Sequence, residues 1–190
     1  MSATPYLILV KHAFPAIVPG LPANQWHLSS AGRERCKALA QKLAVYQPEV
    51  ILSSIEPKAI ETAQIVAEQL GLPFKTVPGL HEHERNNVKF GSRHQFETAV
   101  ACLFEQPFDL IFGEETAEQA YQRFAGSVMS LLEQYNGKSL AIVAHGTVIT
   151  LFAARVCGIE PFPFWKRLGL PSFLVLSLPG MEVKATVEEV

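Results

Sequence analysis

The 190 residues read as an α/β chain, a three-layer α/β/α sandwich with a mostly parallel central sheet. Three short apolar runs carry that expectation: YLILV at residues 6–10, VILSS from Val50 and SLAIVAH from Ser139. None alternates apolar with polar residues, so each predicts a strand covered on both faces. Helical periodicity fills the intervals between them, which is the pattern of parallel strands joined by helical crossovers.

Each helix has its own signals. Ser29 or Ser30 caps SSAGRERCKALAQKLAVY, whose apolar stripe is Cys36, Leu39, Ala40 and Leu43. Pro57 opens a second helix with Ile60, Ala63, Ala67 and Leu70 as its expected buried face and Gly71 as its stop. An amphipathic stretch starts near Ser92. Thr116 and Gln119 make a capping box before a long helix with Ala120, Phe124, Val128, Leu131 and Tyr135 on one face. Another helix follows His145 and stops near Gly158, and SFLVLSL, PG and MEVKATV predict an antiparallel hairpin closing a sheet edge. With no repeat or linker, one domain is expected over 1–190, with residues 78–112 as an irregular insert above the cleft.

Sixteen Lys and Arg against eighteen Asp and Glu give a net charge of -2, so no nucleic-acid partner is expected and any anion site must be local. Three cysteines without CxxC spacing suggest neither a zinc site nor a disulfide framework, and imply a reducing cytoplasm. The first apolar run lacks the flanks of a signal peptide. His145, Gly146 and Arg155 interrupt the longest apolar stretch, so no membrane span is expected.

The ends of the three expected strands carry Lys11 and His12, then Lys58, then His145. In an open parallel sheet, ligands bind beyond the carboxyl ends of the strands, so these side chains converge although they are distant in sequence. Clustered cations are costly unless an anion shares their site, and phosphate fits such a cluster.

The same segments resemble the ordered motifs of the histidine phosphatase (phosphoglycerate mutase-like) superfamily. LILVKHAFP is similar to LxLVRHGxT, WHLSSAGRERCKALAQKL to LTxxGxxQAxxLAxxL, LSSIEPKAIETAQIVA to SSPLxRAxxTAxxIA, GLHE to the LxE segment, and IVAHGTVI to VxHGxxI. The likeness spans about residues 7–178. It implies a metal-independent phosphomonoesterase acting on a small phosphorylated substrate. His12 is then the nucleophile, Glu82 the acid, and Lys11, Lys58 and His145 the phosphate-binding groups, with no cofactor. The neighbouring lysines are expected to keep His12 neutral, and bound phosphate to raise the pKa of Glu82, giving an acidic to neutral pH optimum. A mutase of the same fold, or a relative that binds phosphate without turnover, is the alternative reading. The oligomeric state stays open, a homodimer included.

The chain departs from those motifs at several places. Lys11 and Lys58 stand where the family usually has Arg, Ala13 where it has Gly, and HERNNVKFGS lacks a WEG element. A lysine is a flexible point charge without the bidentate fork of a guanidinium, so looser phosphate binding and modest turnover are expected. Glu84 competes with Glu82 for the acid role. His81 and His83, with His94, offer a metal set on paper but are expected to be solvated loop residues. Gly137, Lys138 and Ser139 mimic a nucleotide-binding loop but precede a strand instead of following one. Trp26 is placed to wall the cleft, and Trp165 reads equally as a packing or a substrate-facing ring.

Overall fold

The computed structural model describes residues 4–88 and 92–190; residues 89–91, inside HERNNVKFGS, lie outside them. The strands are β1 (Tyr6–Lys11), β2 (Val50–Ser53), β3 (Phe74–Thr76), β4 (Leu140–Ala144), β5 (Ser172–Ser177) and β6 (Glu182–Val187), arranged as β3-β2-β4-β1-β5-β6. The first four are mutually parallel and the last two antiparallel. The helices are α1 (Ser30–Ala44), α2 (Pro57–Leu70), α3 (Arg93–Glu105), α4 (Ala117–Gln134), α5 (Gly146–Cys157) and α6 (Pro161–Arg167). Among the described residues no helix is long and apolar enough to cross a membrane.

Successive strand residues face opposite ways, and the core divides accordingly. Ile8, Val10, Ile51, Ala141 and Val143 pack with α1 and α2, while Leu7, Leu9, Leu52, Leu140 and Ile142 pack with α3 through α6. That is the expected sandwich. Ser29 caps α1 by accepting the Gly32 N–H, and Thr116 and Gln119 close the capping box of α4.

Some expectations need correction. The buried face of α2 consists of Lys58, Ala59, Thr62, Ala63, Val66 and Ala67, leaving Ile60 and Leu70 half-buried. The helix is rotated so that Lys58 and Thr62 point inward, where Lys58 Nζ donates to Ala23 O and Glu56 Oε2 and Thr62 Oγ1 accepts the Ala13 N–H. The short strand β3 and the helix α6 have no counterpart in the apolar periodicity. The amphipathic stretch expected near Ser92 is α3, with Ser92 as its cap.

Register levels the strand ends. Lys11 pairs with Ala144 and Ser53 with Val143, and the ladder continues one residue further through His12 N–H to Ala144 O (3.1 Å) and Ser54 N–H to Val143 O (2.9 Å). The segment after His12 is then held down by α1: a Cβ on Gly32 would lie 2.2 Å from Phe14 O. Gly32→Ala is expected to cost about 1–3 kcal/mol through this overpacking. A urea midpoint equal to that of the parent chain would refute this close approach.

Candidate active site

Lys11, His12, Lys58, Glu82, Glu84 and His145 all line one open cavity of about 600 Å³, so the residues named from the sequence do come together. The rings of His12 and His145 lie 5.2 Å apart at 59°. Their tautomers follow from their partners. His12 Nδ1 lies 2.8 Å from Ala13 O, and a carbonyl only accepts, so Nδ1 carries the proton and Nε2 keeps a free lone pair. Ser54 Oγ accepts the Glu56 N–H (3.1 Å) and its own proton is directed to His145 Nε2 (2.7 Å). That leaves Nδ1–H of His145 as a buried donor without an acceptor among the described residues.

Both rings are held neutral. Burial is the largest cause for His12, with His145, Lys58 and finally Lys11 adding to it against the bond to Ala13. The lysines are therefore secondary to desolvation in setting its protonation. For His145, burial again leads and Lys58 adds to it.

The cationic side chains are less free than the sequence suggests. Lys58 Nζ donates to Glu56 Oε2 and to Ala23 O, each at 2.6 Å, and both partners of the ion pair are buried. Lys11 Nζ donates to Leu168 O at 2.6 Å. Burial lowers the Lys11 pKa to about 8, with Glu82 opposing the shift and Arg85 adding to it. Glu56 and Arg85 had not been singled out from the sequence. An opposite charge two positions from Lys58, and an arginine in the insert of a chain lacking both usual arginines, were the available signals.

Glu82 sits at the amino end of α5, where its carboxylate accepts N–H groups from Thr147 (3.2 Å) and Val148 (3.3 Å), another from His83 (2.9 Å), and Arg85 Nη2 (3.2 Å). Burial pushes its pKa up, but Arg85, His145 and these N–H donors outweigh burial and hold it well below the usual range. The rise expected for Glu82 on phosphate binding therefore starts from a lowered value. Glu84 is more exposed, and its carboxylate accepts from His81 Nε2 at 3.1 Å.

The expected solvation of the insert histidines does not hold for His83. It is buried, its Nε2 donates to Glu115 O (2.7 Å), and its ring packs edge-on against Phe112 at 5.0 Å. His81 is partly buried and His94 exposed; among the described residues no group of three His, Cys, Asp or Glu could hold a metal. Trp26 and Trp165 both line the cavity.

A family model for the histidine phosphatase superfamily (branch 1) matches residues 23–182. The chain belongs to that superfamily. The match begins after β1, so Lys11 and His12 take their places from the β1–β4 register and the cavity. The uncharacterized phosphatase PhoE of Bacillus subtilis (strain 168) is 23% identical over 134 residues, covering 70% of this chain and 66% of that one. Phosphoglycerate mutase-like protein 4 of Arabidopsis thaliana is 27% identical over 131 residues, covering 64% and 56%. The chain thus spans just under two thirds of the first relative and little more than half of the second.

Among solved structures, a mycobacterial glucosyl-3-phosphoglycerate phosphatase complexed with VO3 superposes with a TM-score of 0.78 at 20% identity, covering 99% of this chain and 100% of that one. YhfR of Bacillus stearothermophilus gives 0.76 at 20%, covering 97% of both, and an Entamoeba histolytica phosphoserine phosphatase 0.71 at 19%, covering 96% of both. At such identities the likeness is one of fold.

The imidazole signals of His12 and His145 are expected to stay at their neutral positions from about pH 8 down to about pH 6, below which an unperturbed histidine is mostly charged. Nitrogen-15 NMR that shows either ring protonated near pH 6.5 would contradict the burial argument.

Proposed function

We propose that this chain is a phosphomonoester hydrolase that passes a phosphoryl group through His12 to water, acting on a small phosphorylated molecule. The observation that carries it is the pairing of a neutral His12, with Nε2 bare, with the uncommitted Nδ1–H of His145 in one cavity. Nε2 attacks phosphorus as the ester P–O bond breaks, and Lys11, Lys58, Arg85 and His145 offset charge on the equatorial oxygens. With that charge met by side chains, no step calls for a metal ion.

Glu82 is better placed than Glu84 to protonate the leaving oxygen, being deeper and closer to His145. The free site holds Glu82 as a carboxylate, so its proton must arrive with the substrate. A phosphate monoester has a second pKa of about 6, and its monoanion can deliver that proton on entry. Glu82 then gives it to the leaving oxygen, takes one from the water that cleaves phosphohistidine, and passes that proton to the departing phosphate, which restores the carboxylate.

The deciding experiment is turnover of p-nitrophenyl phosphate in EDTA by the parent chain and His12→Ala, with trapping of acid-labile phosphoenzyme. Turnover and trapped label in the parent, both lost in the variant, are expected. The Lys58–Glu56 ion pair favours one other reading, a relative that binds phosphate without turnover; vanadate binding with no trapped label would select it.

Two further outcomes follow from the charges. Glu82→Gln should lower kcat by about 10²–10⁴-fold, the usual worth of a proton-transfer group, while Glu84→Gln should not; the reverse pattern would reassign the acid. On the alkaline side kcat/KM should fall above about pH 8, as the Lys11 ammonium is lost in the free protein. A profile that keeps rising to strongly alkaline pH would contradict both Lys11 and the acid role.

A further inference from the structure

The cavity lining holds a hydrogen-bond donor that the mechanism above leaves unused. We propose that the indole N–H of Trp165 binds a non-bridging oxygen of the phosphoryl group, beside Lys11 and His145. This rests on the phosphate-site reading above.

Trp165 Nε1 and Lys11 Nζ both lie within 3.5 Å of one point, the position a Cβ on Gly146 would occupy. Gly146 directly follows His145 and lines the same cavity, as Trp165 does, so the indole nitrogen stands beside the residue next to His145. The described residues give this N–H no acceptor; the contacts of Trp165 are ring contacts. The contrast with Trp26 is direct, because the Trp26 indole N–H donates to Leu21 O at 2.9 Å and has no capacity left. A tryptophan N–H only donates and normally finds a partner when its ring is packed, and a phosphate oxygen is the acceptor this location favours.

The ring is also held in place. It stacks on Phe162 at 6.1 Å and 15° and meets Phe96 edge-on at 5.6 Å, with the Arg85 guanidinium 5.1 Å from the Phe96 centroid. Lys11 is fixed to the same segment through Leu168 O. The α6 segment therefore carries one donor and anchors another. Trp165 supplies a rigid directional bond where the usual family arginine would have offered a second arm and Lys11 does not.

Trp26 and Trp165 are the chain's two tryptophans, so a Trp26→Phe variant reports Trp165 alone. Inorganic phosphate is titrated into that variant and followed by the indole Nε1–H resonance. Calorimetry then compares phosphate and vanadate affinity in the parent chain and Trp165→Phe, which keeps a stacking ring; circular dichroism checks its fold. A downfield shift of the resonance, saturating with phosphate, and about 10- to 100-fold weaker phosphate binding in Trp165→Phe are expected, the worth of one hydrogen bond to a charged acceptor.

Unchanged phosphate affinity with a raised KM for substrate would put the indole on the leaving group and overturn the proposal. Weaker binding with an unmoved resonance would reduce Trp165 to packing, and also overturns it. If the parent chain itself binds no phosphate, the reading of the site fails, and this proposal with it; a loss confined to the Trp165 comparison leaves the site standing.

Discussion

The parallel pairing of β1 with β4 is the constraint from which the site follows. It brings Lys11 level with Ala144 and extends one hydrogen bond further, to His12, so two histidines distant in sequence become ring neighbours. β2 joins from the other side of β4 at a matching level and delivers Ser54 to His145 Nε2. The strand register thereby sets the neighbour of the second ring as well as the distance between the rings. Because the strands are covered on both faces, the ring of His145 has no route to water except through the cavity, and burial then leads in keeping both rings uncharged.

The electrostatic balance differs from a pocket of fixed positive charge. The cavity is lined by Lys11, Lys58 and Arg85 and equally by Glu56, Glu82 and Glu84. Lys58 is bonded to Glu56, Arg85 to Glu82, and Lys11 to a main-chain carbonyl. Isolated buried charges are expensive, so this pre-pairing stabilises the unliganded fold. The consequence for ligand capture is that an incoming phosphate must share cations with existing partners, which limits what each lysine adds. Neutral donors without a partner among the described residues, the Nδ1–H of His145 and the indole N–H of Trp165, carry no such competition.

Much of this was readable from residues alone, and the boundary is instructive. Continuous apolar runs marked β1, β2 and β4, and helix caps at Ser29 and Thr116 marked where helices start, because each is a local property of the chain. The convergence of Lys11, His12, Lys58 and His145 followed from strand order alone. What failed depended on partners that sequence does not reveal. The inward rotation of Lys58 on α2 reflects Glu56 and Ala23, and the burial of His83 reflects Glu115 and Phe112. The lowered pKa of Glu82 reflects Arg85 and His145 first and then N–H donors that include the amino end of α5, 65 residues along the chain.

The two lysines in place of arginines then acquire a physical reading. A guanidinium contributes both charge and a fixed fork, whereas Lys11 and Lys58 contribute charge only, each already tethered by a bond of 2.6 Å. Orientation of the bound group must come from elsewhere, and rigid side chains are the economical source because they lose little conformational freedom on binding. Here Trp165 is clamped by Phe162 and Phe96, and His145 by Ser54. Charge from flexible groups and direction from fixed ones are thus divided between different residues. On this division Arg85, a guanidinium that lines the cavity, holds the acid in place through its bonds to Glu82 and Thr147 and adds its charge to the bound group from there.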